Sequence, residues 1–273
     1  MERHWGLQRN PFVDPNGGVA IVATPVLEEA LARLDYLCRR RRRLGIVYGQ
    51  SGFGKTVVLR SFRRELLASG ESSALMTAAG CDGDEAQYRF ADAFGALRSP
   101  LRTPGDVRRA VTRAVENLAM AEQPLVLLID DLDRAAPGFM EALLALTKVG
   151  EHAGAPLSIA AASSFGGVPA NVVAQTDLTI RLAPWPTADV QQALSDLLAA
   201  VGRSEPAFDD QSIWRIQELA GGVPRLVMRL AELALVAGAA DGRGLVTVDL
   251  VDAVASEILP PAAPPRFDGV FAD

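Results

Sequence analysis

The sequence predicts an α/β fold: a five-stranded parallel sheet with helices on both faces, followed by a small all-helical domain. Three observations predict it. Five short, nearly continuous apolar runs recur between Leu44 and Leu182. Helical periods separate them. After Pro184-Trp185-Pro186 the strand pattern stops and only helical spacing continues. Apolar runs without polar alternation are the mark of parallel strands covered on both faces.

Each element has its own signal. Thr24-Pro25 reads as an N-cap followed by a proline at the first helical position. Leu27, Leu31, Leu34 and Cys38 then recur at helical spacing. Leu44-Gly45-Ile46-Val47-Tyr48 is the first strand. A glycine-rich turn follows, then a helix with Val58, Leu59, Phe62 and Leu66 inward, stopped near Gly70. The second strand is Ala74 to Thr77. Thr103-Pro104 opens a helix with Val107, Val111, Val115 and Leu118 on one face. The third strand is Leu125 to Ile129, the fourth Leu157 to Ala162, the fifth Leu178 to Leu182. Beyond Thr187 the expected helices are 187–201, 209–220, 224–237 and 247–258. The predicted domains are therefore residues 1–184, 185–259 and a Pro-rich extended tail, 260–273.

Composition narrows the function classes. Of 273 residues, 49% are hydrophobic and 22% charged, the balance of an ordinary globular chain. Net charge is −6, so a generally basic nucleic-acid coat is excluded. Residues 1–70 nonetheless carry eleven Arg and Lys55 against six acids. Two cysteines, Cys38 and Cys81, make no disulfide framework, and two histidines leave little for a zinc site. With no run of 18 apolar residues and no apolar stretch at the start, the expectation is a cytoplasmic protein without a transmembrane segment.

Among 27 basic residues only Lys55 and Lys148 are lysines. Such a bias fits a GC-rich genome, and it leaves each lysine needing a reason. Lys55 has one. It sits in Gly49-Gln50-Ser51-Gly52-Phe53-Gly54-Lys55-Thr56, which fits G-x-x-x-x-G-K-[ST] between a strand and a helix. Glycines let the backbone wrap phosphate oxygens with N–H groups inward, and the helix N-terminus adds partial positive charge. A slim ammonium fits between phosphates where a planar guanidinium fits less well. The loop from Gly49 through Val57 is thus the candidate ATP site, with Thr56 a ligand for Mg²⁺.

The apolar strand Leu125–Ile129 delivers Asp130 and Asp131 at its carboxyl end, where ligands bind in open α/β sheets. Asp130 would hold Mg²⁺ through water. Asp131 would polarise the attacking water, or alternatively cap the following turn. Asp is one methylene shorter than Glu, so hydrolysis would be slow or need a second group. Ser163 and Ser164 end the fourth strand, where a hydroxyl can contact phosphate or simply cap. Gly221-Gly222-Val223-Pro224-Arg225 opens a helix with Arg225 in its first turn. A cation there opposes the helix dipole unless an anion faces it.

These pieces together resemble the AAA+ ATPases, and among them the ExeA/GspA-type ATPases. The matching residues are the loop at 49–56, Asp130-Asp131, Ser163, Gly222-Val223-Pro224-Arg225 and the opening Trp5-Gly6-Leu7-Gln8-Arg9-Asn10-Pro11-Phe12. Transposition ATPases of the TniB/TnsC and MuB kind share much of the pattern. The resemblance implies a P-loop NTPase sheet with a helical lid and Pro11 and Phe12 near adenine. It also implies that Ser163 and Arg225 sense phosphate, and that active forms are ring or helical homo-oligomers. It implies a protein partner, or in the transposition-like alternative duplex DNA. A scaffold with negligible turnover is a third reading. Such ATPases place an arginine at or before the fifth strand to reach a neighbour's γ-phosphate. Between Ser163 and Ile180 there is no Arg or Lys, which leaves Arg181 and Arg134 as candidates.

Two further segments stand out. Arg39 to Arg43 would contact phosphates in a DNA-binding reading, or form a solvated helix C-terminus. The tail segment Arg266-Phe267-Asp268-Gly269-Val270-Phe271 is a docking peptide for a partner or neighbouring subunit in one reading, and in the other packs on its own domain or has no role.

Overall fold

The computed structural model describes residues 1–14, 18, 20–97 and 103–258. The tail 260–273 and its two phenylalanines lie outside the described residues. The described chain divides into two compact units, one from Ala23 to Pro184, the other combining Met1–Val22 with the chain from Trp185 onward.

The first unit holds a five-stranded, all-parallel sheet in the order β2-β3-β4-β1-β5. The strands are β1 (Leu44–Tyr48), β2 (Ser72–Thr77), β3 (Leu125–Asp130), β4 (Leu157–Ser163) and β5 (Leu178–Arg181). The central strands β3 and β4 are buried almost throughout, whereas the edge strands β2 and β5 are only partly covered. That difference explains their sequences: Leu-Val-Leu-Leu-Ile in the middle, Ser and Thr at the edges.

Helices α2 (Pro25–Arg39) and α3 (Lys55–Ala68) pack on one face, α4 (Gly83–Ala93), α5 (Pro104–Met120) and α6 (Phe139–Ala153) on the other. The Thr24 hydroxyl caps α2 by accepting from Leu27 N–H at 3.3 Å, and Leu27, Ala30, Leu34 and Leu37 form its buried stripe. A full capping box between Thr103 and Asp106 starts α5, which buries Val107, Val111 and Val115. These valines join Phe90 and Phe139 against Ile46, Leu127, Ile129 and Ile159. The two phenylalanine rings meet edge to face at 6.1 Å. Fully burying each such side chain contributes about 1.5–3 kcal/mol. A short helix, α7 (Ala170–Val173), precedes β5.

The second unit is helical: α1 (Glu2–Trp5), α8 (Thr187–Ala199), α9 (Asp210–Ala220), α10 (Pro224–Ala240) and α11 (Val248–Ile258). Here the structure corrects one expectation. Residues 1–22, expected in the α/β domain, pack with these helices. The reason is apolar burial far along the chain. Trp5 is 2% exposed and donates its indole N–H to the Leu235 carbonyl at 2.7 Å. The Arg203 guanidinium lies over the Trp5 ring and donates to the Trp5 carbonyl at 2.9 Å. Leu7 and Phe12 are buried as well, and Gln8 N–H donates to Val201. Among the described residues no helix is long and apolar enough to cross a membrane.

Candidate functional site

The loop after β1 is built for an anion. Gly54 occupies the position before α3 with φ 87°, a left-handed conformation that only glycine adopts without strain. Gly52, at φ 88°, gives the loop its other sharp bend. The first turn of α3 has no capping side chain and no acid, so its first N–H groups face the loop unpartnered. Lys55 curls back across it, donating to the Gly49 carbonyl at 2.8 Å and to the Gln50 carbonyl at 3.2 Å. Phe53 N–H closes the turn onto Gln50. Gly49, Gln50, Ser51, Gly52, Phe53, Gly54, Lys55, Thr56 and Val57 therefore form one continuous cradle of amides with a single ammonium across it.

The acids arrive from two strands away. Strand β4 lies between β1 and β3, and Tyr48 is in register with Ser163. The same register pairs Ile129 with Ala161. The loop, Ser163 and Asp130-Asp131 thus emerge from three neighbouring strand ends at the carboxyl edge. Asp130 Oδ1 accepts from Asp131 N–H at 3.0 Å, which fixes the carboxylate's orientation. Asp131 itself is left-handed, φ 53° and ψ 42°. A non-glycine residue held there stores of order 1–2 kcal/mol of strain, a feature that clusters at functional sites. The Ser163 hydroxyl is buried and donates to the Ser164 carbonyl at 3.0 Å.

Sequence reasoning gives Asp133 no role, yet its Oδ1 accepts from Ser164 N–H at 3.1 Å, joining the β3 and β4 loops. Only the three-dimensional structure reveals this contact. Phe165 stacks on Tyr48 at 5.8 Å beside the same edge. Burial pushes the Tyr48 phenol up, and the nearby Arg181 charge opposes that. Arg181 is exposed on edge strand β5, in register with Tyr48, and Arg134 is exposed after the turn at Asp131.

The residues fit Mg-ATP. Unpaired helix-start amides and an ammonium suit phosphate. Among the described residues no cluster of three or more His, Cys, Asp or Glu could hold a metal. A cation here would be held by the Thr56 hydroxyl and Asp130 together with phosphate oxygens, the arrangement Mg²⁺ prefers over an all-protein cage.

The remaining candidates belong to the helical unit. Pro224 is at the first position of α10, and Arg225 follows it, exposed, with no acid in that turn. Pro11 and Phe12 are buried, and Phe12 N–H donates to Asn10 Oδ1 at 2.8 Å. Asn10 in turn donates to Glu232 at 2.7 Å.

The arginine run ends α2 at the amino edge of the sheet, opposite the loop. Arg39 pairs with Asp35, Arg42 with Asp177 at 3.9 Å and Arg43 with Glu151 at 3.2 Å. Arg40 lies over the Tyr36 ring. Arg39, Arg42 and Arg43 thus each have an acidic partner at this end of the sheet.

Comparisons with known proteins agree with this fold. Residues 38–165 match the family model described as AAA domain. A 104-residue stretch is 28% identical to the AAA+ ATPase ClpV1 of Pseudomonas aeruginosa, covering 38% of this chain and 10% of that protein. The chain therefore spans about a tenth of the length of that relative. Among solved structures, Cdc6p from Pyrobaculum aerophilum aligns with a TM-score of 0.73 at 18% identity, over 93% of this chain and 72% of that one. The Thermotoga maritima RuvB Holliday junction branch migration motor aligns with a TM-score of 0.59 at 14% identity, over 86% and 70%. The Aeropyrum pernix ORC1 protein, solved in complex with DNA, aligns at 0.63 and 17% identity, over 86% and 66%. Residues 38–165 are thus similar to the AAA domain family, and the described chain has the P-loop NTPase sheet followed by a helical unit.

Proposed function

We propose that this protein binds and hydrolyses Mg-ATP and uses ATP-dependent oligomerisation to regulate or assemble a partner protein complex, as the ExeA/GspA-type ATPases it resembles do. The observation that carries the reading is the convergence of the Lys55 loop, Ser163 and Asp130-Asp131 on three neighbouring strand ends.

Bound Mg-ATP supplies the phosphoryl group and the charge-neutralising cation. The chain supplies position and charge. The loop amides and Lys55 hold phosphate oxygens. Thr56 and Asp130 hold the cation. Asp131 orients the attacking water and accepts its proton. Ser163 and Arg225 respond to the terminal phosphate, and Arg181 or Arg134 serves a neighbouring copy. Because catalysis here is mostly electrostatic positioning, an isolated copy lacking a neighbour's arginine turns over slowly.

The test measures phosphate release and particle mass with ATP, with ADP and with duplex DNA added. The reading expects Mg²⁺-dependent release and a larger particle with ATP than with ADP, both lost in Lys55→Ala. ATP-dependent assembly without any release would favour a scaffold. Assembly only on DNA would favour the transposition-like alternative.

A further inference from the structure

After β3 the chain enters a short 3-10 turn, Leu132–Arg134, through the left-handed Asp131. Three bonds hold that turn on one side. Asp131 N–H donates to Asp130 Oδ1 at 3.0 Å, Arg134 N–H to the Asp131 carbonyl at 2.9 Å, and Gly80 N–H to the Arg134 carbonyl at 2.9 Å. A strained residue persists only where its surroundings over-determine it. On the other side the turn reaches the loop after β4 through a side chain. Asp133 Oδ1 accepts from Ser164 N–H at 3.1 Å, across 31 residues of sequence.

The loop after β4 is shaped to let this happen. Gly167 N–H donates to the Ser164 carbonyl at 3.2 Å, which curls the loop over Asp133. A Cβ added at Gly167 would lie 2.2 Å from the Asp133 Cβ and 3.2 Å from the Ser163 hydroxyl. No side chain fits there, so Gly167 permits the approach and Asp133 locks it. The two loops joined in this way carry the candidate water-orienting acid and the candidate strand-end hydroxyl.

We propose that Asp133 is a positioning residue that fixes the Ser163–Gly167 loop against the turn bearing Asp131. The two groups are then presented to the terminal phosphate as one unit. The inference rests on the Mg-ATP reading of the site. Its chemistry is a single hydrogen bond from a backbone amide to a side-chain oxygen. An asparagine keeps an oxygen at that place, whereas an alanine removes it. A clamp thus needs the oxygen and not the charge, whereas a reacting acid needs the charge.

The full chain is compared with Asp133→Asn, Asp133→Ala and Gly167→Ala. Phosphate release, the ratio of ATP to ADP affinity with fluorescent nucleotides, and circular dichroism are read for each. Displacing catalytic groups by about an ångström lowers turnover by roughly 10²-fold. Asp133→Ala and Gly167→Ala should therefore lose about tenfold or more in turnover, and should lose preference for ATP over ADP while ADP affinity stays the same. Asp133→Asn should recover both. If wild-type release is below detection, the affinity ratio alone decides. If Asp133→Ala does not fold, Gly167→Ala and Asp133→Asn decide. The clamp is overturned if folded Asp133→Ala behaves as wild type, or if Asp133→Asn is as damaged as Asp133→Ala. Failure of the wild type to bind any nucleotide overturns the site reading itself, and the clamp with it.

Discussion

The Lys55 ammonium lies 2.8 Å from the Gly49 carbonyl, at the opposite end of the loop it belongs to. A side chain that begins in the first turn of α3 therefore reaches back to the end of β1. The charge stands over the cradle of amides, so one residue both closes the loop and sets its sign. In a chain where 25 of 27 basic residues are arginine, this position holds a lysine. Lys55→Arg puts a planar fork where a point charge is needed, and nucleotide affinity should fall by about 10- to 100-fold, the worth of a charge-assisted hydrogen bond. Competition binding with fluorescent ADP checks it.

Asp131 should matter for turnover and not for affinity. An acid that orients water contributes roughly 10²–10⁴-fold. Asp131→Asn should lose about 10²-fold in turnover with nucleotide affinity unchanged. Asparagine tolerates the left-handed conformation that Asp131 adopts, so the melting temperature should stay within experimental error. A variant that binds less nucleotide would place Asp131 on the cation instead.

The cap of α5 predicts a pH dependence. The hydrogen bond from Thr103, with Arg109 beside it, holds the Asp106 carboxyl below its usual range. A carboxyl depressed in the folded state adds stability above its unfolded value, and that contribution is lost as pH falls through the folded value. Thr103→Ala should cost about 1 kcal/mol at neutral pH. The gap between variant and wild type should narrow in acid, measured by urea denaturation at both conditions.

Trp5 should be essential to the helical unit. Removing a buried tryptophan costs about 3–5 kcal/mol, and here it also removes the indole donor to the Leu235 carbonyl and the ring beneath Arg203. Trp5→Ala should unfold that unit well below the wild-type temperature. An unchanged melting curve would show that residues 1–22 do not stabilise it.

What could be read from the sequence was local. Thr24-Pro25 and Thr103-Pro104 announce α2 and α5, because caps act within four residues. The phosphate loop is legible for the same reason: every group it needs lies in eight consecutive residues. The central strands are legible because burial on both faces leaves nearly continuous apolar runs. By contrast, α6 starts at Gly138 with no capping side chain, so nothing local marks its beginning. Helix α4 does carry a mark, Asp82 accepting from Glu85 N–H, but one short polar cap is a weak signal. The home of residues 1–22 depends on Trp5 meeting Leu235, and the role of Asp133 on its meeting Ser164. No spacing rule reaches that far. The ion pairs of Arg42 and Arg43 are not legible either, because Asp177 and Glu151 come from other elements.

The central claim is that the Gly49–Thr56 loop is a Mg-ATP site gripped by Lys55. Titration calorimetry of ATP with Mg²⁺ into wild type and Lys55→Ala tests it most directly. The account predicts one site per chain in the wild type and at least a tenfold loss in Lys55→Ala, with the circular dichroism spectrum unchanged. Equal affinity in the two proteins, or no heat in either, would contradict it.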